Sequence, residues 1–362
     1  MQNPEVYKKR VTIGDVARAA GISKSTASRA LNSKGSMTPQ TRAAVRRVAH
    51  RLGFEANAHA QCLANGRGEN TIGFFSPELD LSVGTRKMQD IQHLLGERGY
   101  IVPIHAFGYR QPYAQINQAR LLADLRRQRP RALVCNNSNL RDPAARAELL
   151  RYCDEGGLAV CYDWPLEVPC DMVVFDREDA TYCATRHLLE LGHRRLGFFI
   201  NATYGAEGPD GTEPHRAGFL RALREWKVEP REEWIFPTTT FMQVEKGGVE
   251  LAAQFLSLRE RPTGMCIVND AAALTFMGEV GRAGLRVPRD VSVVGHDNTV
   301  MARHGPYLLS SVSHPVLPIA RSVVEMLDSR LSGQCDGPPR KEALRGELIV
   351  RDSTAPPASS ST

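Results

Sequence analysis

The sequence lacks the features that mark several protein classes. No apolar run approaches the ~18–20 residues that a membrane-spanning helix needs. The start of the chain has no apolar core of a secretory signal peptide. The eight cysteines are scattered and none forms a Cys-x-x-Cys pair, which argues against a disulfide scaffold or a zinc site. We therefore expect a cytoplasmic protein with reduced thiols, no bound metal and no membrane partner.

Motifs of common enzyme classes are also absent. The sequence has no Gly-x-x-x-x-Gly-Lys-[Ser/Thr] phosphate loop, no Gly-x-Ser-x-Gly elbow, no His-Glu-x-x-His motif and no Gly-x-Gly-x-x-Gly after a predicted strand. His187 and His193 are six residues apart on a predicted helix, a spacing that does not place both on one face. We therefore expect no catalytic residue and no cofactor, and the chain is predicted not to be an enzyme.

What the sequence does have is an uneven distribution of charge. Residues 1–70 contain twelve Lys and Arg against four Asp and Glu, a net charge of +8. The other residues contain 34 basic and 36 acidic side chains, a net charge of −2. The whole positive excess of +6 therefore lies in the first fifth of the 362 residues. This distribution predicts a nucleic-acid-binding head on a near-neutral body.

Three short helices are predicted in the basic head. Thr12 caps the first helix, and Gly21 is placed to end it. Ser23 caps a second helix over residues 24–32, and Thr38 caps a third. Two helices joined by a short glycine-containing turn form the helix-turn-helix pattern, whose second helix enters the major groove of DNA.

The second helix has an apolar and a polar face. Ala27, Ala30 and Leu31 face inward. A solvated surface is the alternative interpretation of the polar face, but the local charge excess and the third helix favour contact with DNA. An arginine on this polar face can donate hydrogen bonds to both O6 and N7 of one guanine. The polar face consists of Lys24, Ser25, Ser28, Arg29 and Asn32.

The head closely resembles the DNA-binding domain of the lactose-repressor (LacI/GalR) family of transcriptional regulators. The resemblance covers residues 10–32 and continues in residues 38–42 and 52–54. It implies that Lys24, Ser25 and Arg29 read DNA bases. It also implies a set of positions that contact mostly phosphates, which are Thr12, Ser23, Ser28 and Asn32.

Residues 57–64 look like the hinge helix of this family, which orders on operator DNA. The resemblance implies that Asn57 and Leu63 lie at the minor groove, where an apolar wedge kinks DNA at a cost of roughly a few kcal/mol. The alternative for Leu63 is a linker residue that packs on the body. The segment departs from the family at Ala56, which replaces the usual Pro, and at Cys62, which replaces a commoner Ser.

From Thr71 onward, short apolar runs alternate with amphipathic stretches. This alternation predicts an α/β architecture of parallel sheets with right-handed crossovers. About 290 residues exceed one compact core, so we expect two doubly wound lobes. The predicted strands are residues 72–75, 100–107, 132–135, 158–162, 172–175, 196–200, 265–268 and 291–294. The predicted helices include residues 86–98, 114–128, 181–191, 217–225, 244–258 and 271–284.

Polar residues follow several predicted strands, at the edge where open α/β sheets bind ligands. Carboxylates and a guanidinium read hydroxyl groups and an aromatic face covers a sugar ring, so the cleft suits a small polyol. The candidate effector-binding residues are Asp163, Trp164, Arg216, Asn269 and Asp297. The alternatives are helix caps for Asp163 and Asp297, bonding to its own loop for Asn269, a surface pair with Glu213 for Arg216, and packing on a lobe for Trp164.

The body also resembles the LacI/GalR family along nearly all its length. The implied fold is that of periplasmic sugar-binding proteins, with two lobes around a cleft joined by three crossovers. The sequence departs from the family at residues 79–84, at Arg177, where Asn is usual, and at His296, where Phe or Tyr is common. These departures leave the particular sugar open. The matching segments are residues 176–180, 187–199, 216–223, 268–270, 284–297 and 351–354.

The residues and the resemblance together predict the domain organisation and the function. We expect a helix-turn-helix domain over 1–56, a hinge helix and linker over 57–70, and an effector-binding and dimerisation domain over 71–354. Its first lobe spans about 71–174 with 309–337, its second about 175–308 with 338–354, and residues 355–362 form a disordered tail.

The expected function is a transcriptional regulator, specifically a repressor, controlled by a small polar effector such as a sugar or a sugar derivative. Its partners are double-stranded operator DNA, the effector and a second copy of the chain. Whether dimers pair into tetramers stays open. The alternative is a small-molecule-binding protein or an enzyme of sugar metabolism with an accessory DNA-binding head, which turnover of a bound ligand would favour.

Overall fold

The chain divides into two compact units, Met1–Glu69 and Asn70–Thr362. The structure is a computed structural model. It describes residues 11–31, 37–52, 54, 68–77, 83–107, 118–137, 140, 142–201, 213–238, 244–305 and 307–358. Within these ranges no helix has the length and apolar character needed to cross a membrane.

The first unit contains the three helices that the sequence predicts. They are α1 (Ile13–Ala19), α2 (Lys24–Leu31) and α3 (Pro39–Arg51). Thr12 and Asp15 form a reciprocal capping box at the start of α1, and Gly21 follows α1 with a φ of +67°. The helices close on a small apolar core of Val16, Ala30, Val45 and Ala49.

The first sheet of the second unit has six strands in the order β11-β5-β4-β3-β1-β2. The strands are β1 (Gly68–Pro77), β2 (Ile104–Phe107), β3 (Pro130–Asn136), β4 (Ala159–Asp163), β5 (Asp171–Phe175) and β11 (Lys341–Leu344). The pairs β1–β2, β3–β4, β4–β5 and β5–β11 run parallel. The helices of this lobe are α4 (Val83–Glu97), α5 (Gln118–Gln128), α6 (Pro143–Asp154) and α12 (Val316–Leu331).

The second sheet has six strands in the order β12-β10-β9-β8-β6-β7. They are β6 (Leu196–Asn201), β7 (Ile235–Thr238), β8 (Gly264–Ile267), β9 (Ser292–Asp297), β10 (Ser310–Ser313) and β12 (Glu347–Ile349). Only β12 runs antiparallel to its neighbour among the pairings described. The helices of this lobe are α7 (Arg177–Glu190), α8 (Pro214–Glu225), α9 (Val244–Ser257), α10 (Asp270–Arg282) and α11 (Val300–His304).

The predicted fold class is confirmed, because every predicted apolar run contributes to a strand of one of two parallel-type sheets. The lobe boundaries differ in two places. β10 pairs with β9, so residues 310–313 belong to the second lobe rather than the first. β11 pairs with β5, so residues 341–344 belong to the first lobe rather than the second. Both strands are short and rich in serine or charged residues, so they carry no apolar run that could assign them to a sheet.

The start of the tail is also different from the expectation of disorder. The carbonyl of Ala355 accepts hydrogen bonds from His193 Nε2 and Ser292 Oγ, both at 2.9 Å. The amide of Ala355 donates to Ser292 Oγ at 3.0 Å. The chain is therefore held on the second lobe at this point, and residues 359–362 lie outside the described residues.

Candidate DNA-reading surface and effector cleft

The exposed side of α2 carries the three residues predicted to read bases. Lys24, Ser25 and Arg29 are exposed, whereas Ala27 and Ala30 on the opposite side are fully buried. Nε of Arg29 donates to the carbonyl of Ser25 at 3.4 Å, so the guanidinium lies along the helix surface. The amphipathic pattern of α2 therefore presents one charged, hydroxyl-bearing face to solvent.

Two of the four predicted phosphate contacts, Thr12 and Ser23, lie at helix starts. Thr12 Oγ1 accepts from the amide of Asp15 at 3.3 Å, and Ser23 Oγ accepts from the amide of Thr26 at 3.1 Å. The first amides of a helix have no partner within the helix, so a helix start attracts phosphate. Ser28 is half-buried on α2. Three predicted positions, Asn32, Asn57 and Leu63, lie outside the described residues.

The candidate effector cleft lies in the second unit, where strands of both sheets end. Asp163 ends β4 and forms ion pairs with two buried cations, Lys87 of α4 and Arg177 of α7. Nη2 of Arg177 lies 3.1 Å from Oδ2 of Asp163, and Nη1 donates to the Asp163 carbonyl at 2.6 Å. Because α7 belongs to the second lobe, this arginine joins the two lobes.

The charges of this cluster control its protonation. Burial alone raises the pKa of Asp163, but the ammonium of Lys87 and the guanidinium of Arg177 outweigh burial and hold that pKa well below its usual range. Burial, followed by repulsion from Arg177, lowers the pKa of Lys87 against the attraction of Asp163. Asp163 is therefore ionised, and its oxygens already accept from protein cations.

Trp164 contacts the same arginine. The guanidinium of Arg177 lies 3.9 Å from the centre of the indole ring. Asn137 holds the Trp164 backbone on both sides, because its Oδ1 accepts from the Trp164 amide at 2.9 Å and its Nδ2 donates to the Trp164 carbonyl at 2.6 Å. One face of the ring is thus covered by a cation, while the edge-on ring of His215 lies 6.4 Å away between centres.

On the second lobe, Asn269 and Asp297 contact each other. Nδ2 of Asn269 donates to Oδ2 of Asp297 at 3.1 Å, and Nε2 of His314 lies 3.2 Å from the other carboxyl oxygen. Asn269 also caps α10 by accepting from the amides of residues 271 and 272. The ring of His314 lies 3.7 Å from that of Phe175, between centres, so His314 joins Asp297 to the end of β5.

A buried carboxyl behind Asp297 shapes this loop. Asp270 accepts from the amide of Thr299 at 2.7 Å and from Ser311 Oγ at 2.6 Å. Asp297 takes a φ of +100°, a region that side chains rarely adopt. Burial raises the pKa of Asp270 to about 6. Burial and the neighbouring Asp270 raise the pKa of Asp297 well above its usual value.

Two further imidazoles line the same region. Thr181 Oγ1 lies 2.8 Å from Nδ1 of His215 and 3.4 Å from Nε2 of His296. Nδ1 of His296 donates to the carbonyl of Ile267 at 3.4 Å. Burial lowers the pKa of His296 to about 4 and holds those of His215 and His314 well below their usual value, so the imidazoles are neutral at physiological pH.

The structure brings four of the five predicted effector residues into this network but gives Arg216 a different contact. The Arg216 amide donates to Oε2 of Glu213, which caps α8, at 2.9 Å. Its guanidinium instead pairs with Glu232 at 3.2 Å, and the two side chains are 39% and 79% exposed. The helix-cap alternative is found for neither Asp163 nor Asp297, whereas Asn269 does bond its own backbone.

Sequence reasoning did not select Lys87, Arg177 or His314 as site residues. Lys87 had a signal, since it shares the buried face of α4 with Ile91 and Leu95 at four-residue spacing. Arg177 was noted only as a departure from the family. His314 follows β10, whose sequence Ser-Ser-Val-Ser has no apolar run, so the clustering of polar residues after predicted strands does not include it.

Each of the two units contains a segment that matches a known protein family. Residues 12–57 match the family described as bacterial regulatory proteins, lacI family, and residues 185–354 match the periplasmic binding protein-like domain. The solved lac repressor dimer bound to operator and the anti-inducer ONPF is similar over 96% of this chain and 100% of its own, with 25% identity and a TM-score of 0.78. This chain belongs to the LacI family of transcriptional regulators.

Curated relatives of this LacI-family protein cover nearly its whole length. The transcriptional regulator DegA of Bacillus subtilis (strain 168) is 27% identical over 96% of this chain and 99% of its own. The regulator GalR of Salmonella typhimurium (strain LT2) is 27% identical over 96% of each chain. A solved complex of the regulator CelR with cellobiose is 25% identical, covers 95% of this chain and 100% of its own, and has a TM-score of 0.65. These relatives are named as regulators rather than as enzymes.

Proposed function

We propose that this LacI-family protein is a cytoplasmic repressor that binds operator DNA through the exposed face of α2. Its operator affinity changes when a small polar molecule, a carbohydrate or a derivative of one, binds in the cleft between the lobes. The observation that carries the DNA-binding part is the placement of Lys24, Ser25 and Arg29 on one exposed face, opposite alanines that close the head core. In this proposal Asn57 and Leu63 contact the minor groove.

The coupling part of the proposal rests on contacts that cross between the lobes. Arg177 begins a helix of the second lobe and bonds Asp163 of the first. His314 lies between Asp297 of the second lobe and Phe175 of the first. A ligand that binds one arrangement of these residues better than another shifts the equilibrium between arrangements, typically by about 1–3 kcal/mol of coupling.

The active unit in this proposal is a homodimer. The start of α11 and the segment after it expose a group of large apolar side chains, which monomeric surfaces rarely cluster. Burial of this group against a second copy gives each operator half-site its own head. The solved lac repressor to which this chain is similar is described as a dimer on its operator. The exposed group consists of Val300, Met301, Tyr307 and Leu308.

Selection of DNA sites from a random library by the full chain tests the DNA-reading face. We expect a near-palindromic site. Arg29→Ala should flatten the ranking of sites at one base pair by about 1–3 kcal/mol, because a bidentate guanine contact is lost. The matched control is Arg18→Ala, which removes another exposed arginine of the head. It should leave the ranking unchanged, and an unchanged ranking in Arg29→Ala would remove this residue from base reading.

The predicted effector residue Arg216 needs a separate test, because its contact in the structure is with Glu232. We expect Arg216→Ala to abolish the response of operator binding to the effector and to leave operator binding itself intact. Glu232→Ala is the matched control, since it breaks the same ion pair and keeps the guanidinium. A normal effector response in Arg216→Ala would exclude this residue from the site.

A further inference from the structure

The ion-pair cluster of the cleft contains more positive than negative charge. Lys87 is fully buried, and Arg177 is 7% exposed. Both cations contact the single carboxylate of Asp163. The Phe175 ring also lies near the two cations, with its centre 5.8 Å from Nζ of Lys87 and 5.5 Å from the guanidinium carbon of Arg177. Because burial and the neighbouring Arg177 lower the pKa of Lys87, an excess positive charge beside Asp163 is unfavourable in this buried place unless an anion offsets it.

The second carboxyl of the cleft does not remove this excess. Asp297 contacts Asn269 and His314 rather than Lys87 or Arg177. Its burial and the negative charge of Asp270 raise its pKa well above the usual value, which favours the protonated, uncharged form. The imidazole of His314 is neutral for the same reason of burial. Asp297 and His314 are therefore neutral, and the negative charge on this side belongs to Asp270, which already accepts from the Thr299 amide and from Ser311 Oγ.

One of these neutral groups also lacks a partner. Nδ1 of His314 is buried and has no hydrogen bond within the described part of the chain. The side chain is 7% exposed, and its other nitrogen lies against Asp297. A buried ring nitrogen without a partner is costly, and a ligand hydroxyl is the kind of group that satisfies it.

We propose that the effector of this protein is an anionic carbohydrate, with a carboxylate or phosphate group that binds Lys87 and Arg177 and with hydroxyl groups that bind Asp297 and His314. This inference rests on the proposed function, because it names the ligand class of the same cleft. A neutral sugar can bind Asp297 and His314 through its hydroxyl groups but has no anionic group to bind Lys87 and Arg177. An anion on the ring offsets the excess charge and is held by charge-assisted hydrogen bonds.

Calorimetric titration of the full chain with matched pairs of ligands tests the proposal. The pairs are D-glucuronate with D-glucose, D-galacturonate with D-galactose, D-glucose 6-phosphate with D-glucose, and D-ribose 5-phosphate with D-ribose. We expect at least one acid to bind ten-fold or more tightly than its neutral parent. The uronate and phosphate arms identify which anionic group fits.

Lys87→Met then assigns the preference to the cluster. It keeps the length of the side chain and removes the charge, so the preferred acid should lose ten-fold or more in affinity while the neutral parent changes less than three-fold. Lys246→Met is the control, because Lys246 is an exposed lysine on α9. It should change neither affinity.

Two results overturn the proposal, and neither depends on whether the variant folds. One is a neutral sugar that binds the wild-type chain as tightly as its acid partner. The other is the absence of binding by every acid of the panel. In both cases selection of a specific DNA site by the same preparation still supports the regulator function, so failure of the ligand class is distinguished from failure of that function.

Discussion

The head and the two-lobed body use charged residues in opposite ways. In the head, Lys24 and Arg29 lie on the exposed surface of α2, above an apolar core that includes Val16, Ala30 and Val45. In the body, Lys87 of α4 and Arg177 of α7 are buried, and both form ion pairs with Asp163 at the end of β4. Exposed charges cost little to the fold and remain available for DNA phosphates and bases. Buried charges are held in one geometry by their partners.

This difference separates two kinds of function. A surface that binds many DNA sites weakly and one site tightly needs exposed basic side chains. These neutralise DNA phosphates and release the counterions bound to the DNA. A cleft that must respond to one small molecule needs polar groups whose positions are already determined. The buried hydrogen-bond and ion-pair partners of Asp163 and Asp297 hold these side chains in place. We therefore expect substitutions there to change stability as well as ligand response.

Asp163→Ala should have the largest effect on stability. It leaves Lys87 and Arg177 buried beside each other without their carboxylate, which costs about 3–5 kcal/mol in free energy of unfolding. Denaturant unfolding of the second unit measures this loss. Glu232→Ala, which removes a largely exposed carboxylate, should cost less than about 0.5 kcal/mol. Similar losses in the two variants would mean that burial does not distinguish these ion pairs.

His296→Phe should change how stability depends on pH. The pKa of His296 is about 4 in the folded chain, against a usual value of 6.5. Between these values the unfolded chain binds a proton that the folded chain does not, so the free energy of unfolding falls as pH drops through this window. The variant lacks this loss and should gain about 2 kcal/mol relative to wild type between pH 7 and pH 5.

Urea unfolding of both proteins at the two pH values measures that gain. Other titrating groups, Asp270 included, are present in both proteins, so their contributions largely cancel in the difference. A difference between variant and wild type that stays constant with pH would show that His296 is not held neutral in the folded chain.

Thr12→Ala should have the smallest effect and should act on the head alone. It removes the capping box in which Thr12 and Asp15 bond each other, at a cost of about 1 kcal/mol. Hydrogen exchange of the α1 amides should accelerate roughly five-fold, which is that free energy expressed as a rate ratio. Gln40→Ala, on the exposed surface of α3, is the control and should leave exchange unchanged. Faster exchange in the body would contradict a local role for the cap.

The head was the more predictable of the two units. Its capping residues, its glycine and its apolar spacing are all local signals, and the structure places α1, α2 and α3 within a residue or two of the predicted bounds. In the body, long apolar runs such as Leu196–Ile200 predicted buried parallel strands correctly. The sheet that each run joins depends on non-local hydrogen bonds, which periodicity does not contain.

Some elements fall outside the predicted segments. β7 contains Pro237, which weakens a strand pattern, whereas α6 begins with Pro143 after the cap Asp142, a local signal that the apolar runs do not contain. The lobe assignment of β10 and β11 was wrong because short polar strands look like loops in sequence. The cleft network shows the same limit, since Lys87, Asp163 and Arg177 are far apart in sequence and only the fold brings them together.

Comparison of two arginine variants tests most directly whether exposed charges of the head read DNA while buried charges of the body stabilise the fold. Arg29→Ala and Arg177→Ala remove the same side chain from the exposed head and from the buried cluster. Affinity for the selected DNA site and free energy of unfolding of the second unit are measured for both. We expect Arg29→Ala to lower DNA affinity at least ten-fold and to leave the free energy of unfolding unchanged. We expect Arg177→Ala to lower the free energy of unfolding by more than about 2 kcal/mol and to keep DNA affinity within three-fold of wild type. The reverse pattern, or equal effects of the two variants on both quantities, would contradict the assignment of DNA reading to α2.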